Sequence, residues 1–306
     1  MHMNEVAITL PVVEPYRLDL VVWVLRRRDK NLIDRWDGRA YARVLVVDER
    51  AVNVTVTQPN PHSLRILMQA DGQITPGQQA VIHEIVTKML GSSIDLSPLY
   101  ELVSHDDILA PLAGRFRGMK PPRFPSVFEA LVNAIACQQV SLESGLAMLN
   151  RLTERYGPQF HDGPQLLFAF PRPEDLIDAA EGDLKLLGFS YQKARAIKQL
   201  AYSVLSGQVD PQALESAGDE QAMDDLQKLH GIGRWSAEYA LLRGLGRLKV
   251  FPGDDIGGQN NIRKLYHLDD RPDYGRIRAL MAAWQPYAGL VYFHLLLDSL
   301  ASKNFI

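Results

Sequence analysis

Residues 226–257 read LQKLHGIGRWSAEYALLRGLGRLKVFPGDDIG, and two unlike signals stand in this run. The first is Leu229-His230-Gly231-Ile232-Gly233, an apolar helix end, a glycine-flanked turn and then a strongly helical run from Arg234 onward. The spacing predicts helix, hairpin, helix. Gly231 and Gly233 are expected to turn at positive φ and to let the backbone approach a ligand, while Ile232 points back to pin the two helices. Unpaired N–H groups at the start of the second helix, with its dipole, favour an anion such as a phosphate. By itself the turn is also compatible with a plain connection between helices.

The second signal is Phe251-Pro252-Gly253-Asp254-Asp255. Paired aspartates after Pro-Gly read as a turn and a helix N-cap, which accounts for one of them. The other is a carboxylate placed where a phosphodiester held by the hairpin would bring a deoxyribose.

The whole run resembles the helix-hairpin-helix, Gly-Pro-Asp superfamily of DNA glycosylases, and within it the DNA-3-methyladenine glycosylase II group. The motif that carries the resemblance is Gly231-Ile232-Gly233-Arg234-Trp235-Ser236-Ala237, then Tyr239, Leu242-Arg243-Gly244 and the two aspartates. It implies double-stranded DNA with damaged bases as the partner and the second aspartate, Asp255, as the catalytic residue. DNA contacts then fall on Gly231, Ile232, Gly233 and Arg234. A further likeness, Gln138-Gln139-Val140-Ser141, puts on Gln139 the residue pushed into the duplex; wedges are commonly apolar, and a helix-terminal glutamine can instead bond the backbone. The resemblance also implies a potassium or sodium ion on the main-chain carbonyls of Gln227, Leu229 and Ile232. No other cofactor is required.

Composition bounds the alternatives. The chain has 306 residues, 46% hydrophobic and 23% charged, enough for two domains and a large core. Its single cysteine, Cys137, excludes an internal disulfide framework and a four-cysteine cluster within one chain. The histidines lack ligand spacing, so no catalytic metal is expected. No apolar run is long enough to span a membrane and no basic-then-apolar leader opens the sequence, so cytoplasm and a monomer are expected. A net charge of −3 argues against bulk electrostatic coating of nucleic acid but leaves local basic patches, among them Lys193, Arg234, Arg243 and Arg247.

The fold class read from the pattern is α+β. Residues 1–112 form a β-rich domain, with strands expected at 6–13, 18–24, 41–47, 52–57 and 64–68, followed by a helix carrying Ile82, Ile85, Val86 and Met89. The proline-rich link 118–125 leads into an all-α region, 113–306. There Ser126 and Glu129 read as a capping box, with Phe128, Leu131, Val132 and Ile135 as the buried stripe. The chain is expected to close with a helix over 274–284, a break at Pro286 and an apolar helix over 289–300.

Base removal from a duplex requires flipping the nucleotide into a pocket. Trp235 and Tyr239, at i and i+4, are the candidate aromatic faces; packing between helices is the alternative role. Alkylated purines that are already cationic leave as neutral bases and need only a carboxylate facing the sugar. In bifunctional relatives of the resembling family a lysine directly follows the hairpin motif; here Trp235 stands there, so no lyase step is expected. Where that group can carry a Trp-Tyr pair near the end, this chain has Leu296-Leu297. Two other readings share these residues: a non-enzymatic DNA-binding hairpin, and a glycosylase for deaminated or mismatched bases.

Overall fold

The computed structural model describes residues 3–306. The chain runs β1 (Met3–Pro11), α1 (Leu18–Arg26), β2 (Arg35–Trp36), β3 (Ala40–Val47), β4 (Arg50–Asn60), β5 (Ser63–Asp71), α2 (Pro76–Leu90), α3 (Ser97–Val103) and α4 (Leu109–Arg115). It continues as α5 (Val127–Cys137), α6 (Leu142–Tyr156), β6 (Gln159–Asp162), β7 (Gln165–Phe168), α7 (Pro173–Leu176), α8 (Glu181–Leu186), α9 (Tyr191–Leu205) and α10 (Pro211–Ser216). Last come α11 (Asp219–Gln227), α12 (Arg234–Arg243), α13 (Ile256–Leu265), α14 (Tyr274–Met281) and α15 (Ala288–Ala301).

The expected α+β class holds. Five antiparallel strands lie in the order β1-β5-β4-β3-β2, with Val6 and Val54 both opposite Met68. The inward residues Val52, Val54, Val56, Leu64, Ile66 and Met68 are fully buried, as alternation in a half-wet sheet requires. The expected helix is α2, capped by Thr75 and Gln78 in a reciprocal box.

One expected strand is a helix. Residues 18–24 lie in α1, whose Leu18, Leu20, Val21, Val22, Val24 and Leu25 are all buried. The helix packs against α2 and α15, and within residues 18–24 its less buried face shows only Asp19 and Trp23, one turn apart and one of them aromatic, too short a pattern to separate a valine-rich run from a strand. The fifth strand is instead the short β2, and the β6-β7 hairpin was not foreseen.

The boundary read at 112/113 falls inside α4, and the buried apolar clusters cross it. One joins the sheet to α5, α6, α9 and α12; the other joins α1, α3 and α4 to α13, α14 and α15. The link at 118–125 is packed rather than free: Phe124 is buried and its N–H donates to Arg243 O at 2.6 Å. A buried ion cluster ties sheet to helix. The Arg43 guanidinium donates to both Glu129 oxygens at 2.9 and 2.8 Å and to Asp34 at 3.1 Å. This explains why the capping box at α5 is half formed: Ser126 Oγ accepts the Glu129 N–H at 3.1 Å, but the Glu129 carboxylate is drawn to Arg43. No helix among the described residues is long and apolar enough to cross a membrane.

Candidate active site

Helices α11 and α12 are joined by a turn in which Leu229 O accepts the Ile232 N–H at 3.1 Å and Ile232 is buried between the helices. Only one of the two glycines adopts positive φ. Gly231 sits at φ +79°, and a Cβ there would meet Ala196 Cβ at 2.7 Å. Gly233 has an extended backbone, φ −93° and ψ −178°, with open space where a Cβ would stand. It is the N-cap of α12 and offers no side chain to the first-turn N–H groups, which are therefore left for a ligand.

Asp255 is itself the N-cap of α13. Its Oδ1 accepts the Gly258 N–H at 2.6 Å and its Oδ2 accepts the Trp235 indole N–H at 3.1 Å. The expectation that one aspartate caps while the other faces the site is corrected: capping fixes the rotamer of the carboxylate that faces the cleft. Burial pushes the Asp255 carboxyl up, opposed by hydrogen bonds from Gly258, Trp235, Tyr292 and Gly257. Asp254 caps nothing. It receives Arg234 in a two-pronged pair at 2.7 and 3.1 Å, with the guanidinium 3.7 Å from the Tyr274 ring centroid. Arg234 is thus engaged by its own chain rather than held out as a free cation.

The turn before Asp255 is clasped from both sides. The Gly253 N–H donates to Glu238 at 3.1 Å, Gln259 donates to Gly253 O at 2.8 Å, and Tyr274 donates to Glu238 at 2.7 Å. A Cβ on Gly253 would stand 2.6 Å from the Tyr274 ring.

These residues open on a cleft of about 1190 Å³. The structure brings Gln139, Gly231, Trp235, Tyr239 and Asp255 to its wall, along with Leu296. The rings of Trp235 and Tyr239 lie 5.5 Å apart at 35°; Trp235 is half-buried and Tyr239 buried. Ile232, Gly233 and Arg234 lie outside that wall, and Leu229 faces a separate groove between α9, α10 and α11. Leu297 is core.

Gln139 is exposed at φ +54° between α5 and α6, and among the described residues its side chain has no hydrogen-bond partner. The backbone-bonding role belongs to its neighbour: Gln138 Nε2 donates to Gly231 O at 2.8 Å and to Ser236 Oγ at 2.9 Å. Lys193 closes the end of α5 by donating to Ala136 O and Gln138 O at 2.9 and 2.7 Å.

Several cleft residues escaped the sequence reading. Tyr292 faces Asp255 from α15, four residues before Leu296 and so on the same helical face. Arg27 lies at the floor, donating to Tyr239 Oη at 3.0 Å and to Asn133 at 2.7 Å; beside it Arg243, expected in a basic patch, is instead buried and donates to Val24 O at 2.8 Å. Arg27 was hidden because the run before it was read as a strand.

Residues 132–286 match the family model for HhH-GPD superfamily base excision DNA repair protein. The chain is 30% identical to DNA-3-methyladenine glycosylase 2 of Escherichia coli over 92% of its own length and 93% of that protein's. It is 25% identical to DNA-3-methyladenine glycosylase of Bacillus subtilis, covering 96% and 97%. Its fold is similar to that of the 3-methyladenine DNA-glycosylase from Archaeoglobus fulgidus, with a TM-score of 0.85 at 23% identity, covering 98% and 100%.

Proposed function

The chain belongs to the HhH-GPD superfamily of base excision DNA repair proteins, and from that premise we propose that it is a DNA glycosylase that flips alkylated purines of the 3-methyladenine and 7-methylguanine type out of the duplex and hydrolyses their N-glycosidic bond. The observation that carries this is the Asp255 carboxylate, fixed by the Gly258 N–H and the Trp235 indole at the wall of an aromatic cleft. A carboxylate so held stabilises the positive charge that develops on the sugar and orients the attacking water. A cationic purine stacks on the Trp235 and Tyr239 faces and leaves neutral. The α11-α12 hairpin takes a backbone phosphate on the first-turn N–H groups of α12, and Gln139 enters the stack behind the flipped nucleotide. A module that only bound DNA would have no use for a desolvated carboxylate beside two aromatic rings.

The reaction we assign ends at hydrolysis. Trp235 occupies the motif position of the amine, and Lys193 is engaged by two carbonyls. Lys264 and Lys303 line the cleft outside the motif and are the amines a Schiff-base trap would identify. The proposed seat for a monovalent cation at Gln227, Leu229 and Ile232 draws support from Leu229 O, which uses one lone pair for the Ile232 N–H and keeps the other. The protein is assigned to the cytoplasm, acting as a monomer on double-stranded DNA.

The test is a panel of duplexes each carrying one lesion, read for free base and for borohydride cross-links. Release of 3-methyladenine and 7-methylguanine without cross-linking is expected. Binding without release of any base would leave only the DNA-binding reading, and a cross-link abolished by changing one lysine would establish a lyase step.

A further inference from the structure

Four arginines are buried: Arg26 is held by the carbonyls of Arg28, Asp29 and Trp36, Arg43 ties the sheet to α5, and Arg27 and Arg243 line the cleft. Arg43, 1% exposed, is matched by two carboxylates, Asp34 and Glu129. Arg27, 5% exposed, and Arg243, 1% exposed, have none within ion-pair distance among the described residues. Arg243 is turned to the Val24 and Leu25 carbonyls at 2.8 and 3.4 Å and walled by Phe124, Tyr239 and Phe293. Arg27 has only neutral partners, Tyr239 Oη and Asn133 Oδ1, and its Nε has no partner. A buried guanidinium without a counter-charge is expensive to maintain, and it marks a place where charge is wanted.

The placement of Arg27 relative to Asp255 is set by one helix. Trp235, bonded to Asp255, and Tyr239, bonded to Arg27, are one turn apart on α12, a rise of about 6 Å. A flipped nucleotide with its sugar at Asp255 lays its base along the two rings and brings the far edge of that base to Arg27. The cleft therefore has a negative end for the sugar and a positive end for the departing base.

We propose that Arg27 is a catalytic residue for neutral lesions, carrying by hydrogen bonding the negative charge that accumulates on a base leaving without a prior alkyl cation. This rests on the glycosylase reading above and extends it to neutral purines. The C1′–N9 bond breaks with its electron pair on the base nitrogen; water adds its oxygen to C1′; one water proton is lost toward Asp255 and solvent, and the departing anion takes up one proton from solvent. Arg27 transfers no proton and stays charged throughout, spending free N–H donors on ring nitrogen or carbonyl acceptors of the base. A cationic 7-methylguanine leaves neutral and draws nothing from it.

The experiment compares single-turnover release of hypoxanthine, a neutral probe, and of 7-methylguanine, a cationic one, by the parent and by Arg27→Gln, with melting curves to confirm folding. Loss of hypoxanthine release by about 10²-fold or more, at least about 10-fold beyond any loss of 7-methylguanine release, is expected. Equal loss on both bases would assign Arg27 to packing and overturn the inference while leaving the glycosylase reading intact. Absence of 7-methylguanine release by the parent would instead remove that reading. A second measurement needs no variant. Tyr239, Tyr292, Cys137, Asp34, Glu129 and Arg243 are the groups around Arg27, and hypoxanthine release by the parent should stay level from about pH 6 to about pH 8, because an arginine does not titrate there. A steady fall across that range, or no hypoxanthine release at all, would contradict assistance by Arg27.

Discussion

The indole N–H of Trp235 donates to Asp255 Oδ2 at 3.1 Å, so a residue that occupies an aromatic wall of the cleft also orients its acid. Trp235→Phe keeps a ring against Tyr239 and removes only the donor. A hydrogen bond to a charged group is worth about 1.5–3 kcal/mol, so base release should fall about 10- to 10²-fold with DNA affinity little changed. Losing a donor that holds the carboxyl down lets burial raise it further, so the acid limb of the rate profile should move to higher pH. An unchanged limb would mean that the indole does not act on the carboxylate.

The two hairpin glycines separate stability from binding. Gly231→Ala forces a Cβ to within 2.7 Å of Ala196 at φ +79° and should cost about 1–3 kcal/mol of stability in a thermal melt. Gly233→Ala meets open space, so it should melt like the parent and lose affinity for every duplex, damaged or not. Full affinity in Gly233→Ala would place the phosphate elsewhere.

Gln139 and Gln138 should behave differently although adjacent. At φ +54° the backbone of residue 139 accepts glycine without strain, so Gln139→Gly removes only the side chain. It should slow excision from a well-paired duplex more than from a mismatched or bulged one, where flipping is already easier. Gln138→Ala cuts the tie to Gly231 and Ser236 and should slow both substrates alike. Parallel loss in both variants would remove the wedge.

His294 gives the fold an acid-sensitive point. It is buried on α15 with Nε2 unpartnered, and burial pushes it down to about 4. The unfolded chain takes up this proton near pH 6.5 and the folded chain does not, so stability is retained above that pH and lost as pH falls toward 4, by up to about 3 kcal/mol. In urea melts at about pH 7.5 and about pH 4.5, His294→Leu should lose less stability than the parent on acidification. An identical loss in both would show that His294 plays no part in it.

Much of this was legible in the sequence, for identifiable reasons. Alternation along 52–57 and helical spacing from Ile82 to Met89 gave the sheet and α2 because each has one wet face to impose a period. Residues 18–24 read as a strand because the open face of α1 is marked there only by Asp19 and Trp23, in a run rich in valine. Trp235 and Tyr239 were legible because i, i+4 spacing puts them on one helix face, and the role of Asp255 came from the resemblance of the motif to the glycosylase superfamily. Tyr292 and Arg27 reach the cleft only through tertiary packing, from α15 and from the end of α1, and neither has a local pattern that announces it. Spacing alone reads the paired aspartates as one cap and one acid, because it does not show that a cap bond can orient a reacting carboxylate; at Asp255 the two are one arrangement.

The most direct measurement is single-turnover release of 3-methyladenine by Asp255→Asn and Asp254→Asn, with abasic-site binding and melting recorded for both. Asparagine still caps α13, so Asp255→Asn should fold, bind at least as well as the parent and release base about 10²- to 10³-fold more slowly or worse. Asp254→Asn loses its partly exposed pair with Arg234 and should keep most of the rate. Release unchanged in Asp255→Asn but abolished in Asp254→Asn would move the chemistry to the other carboxylate, and release unchanged in both would contradict the account.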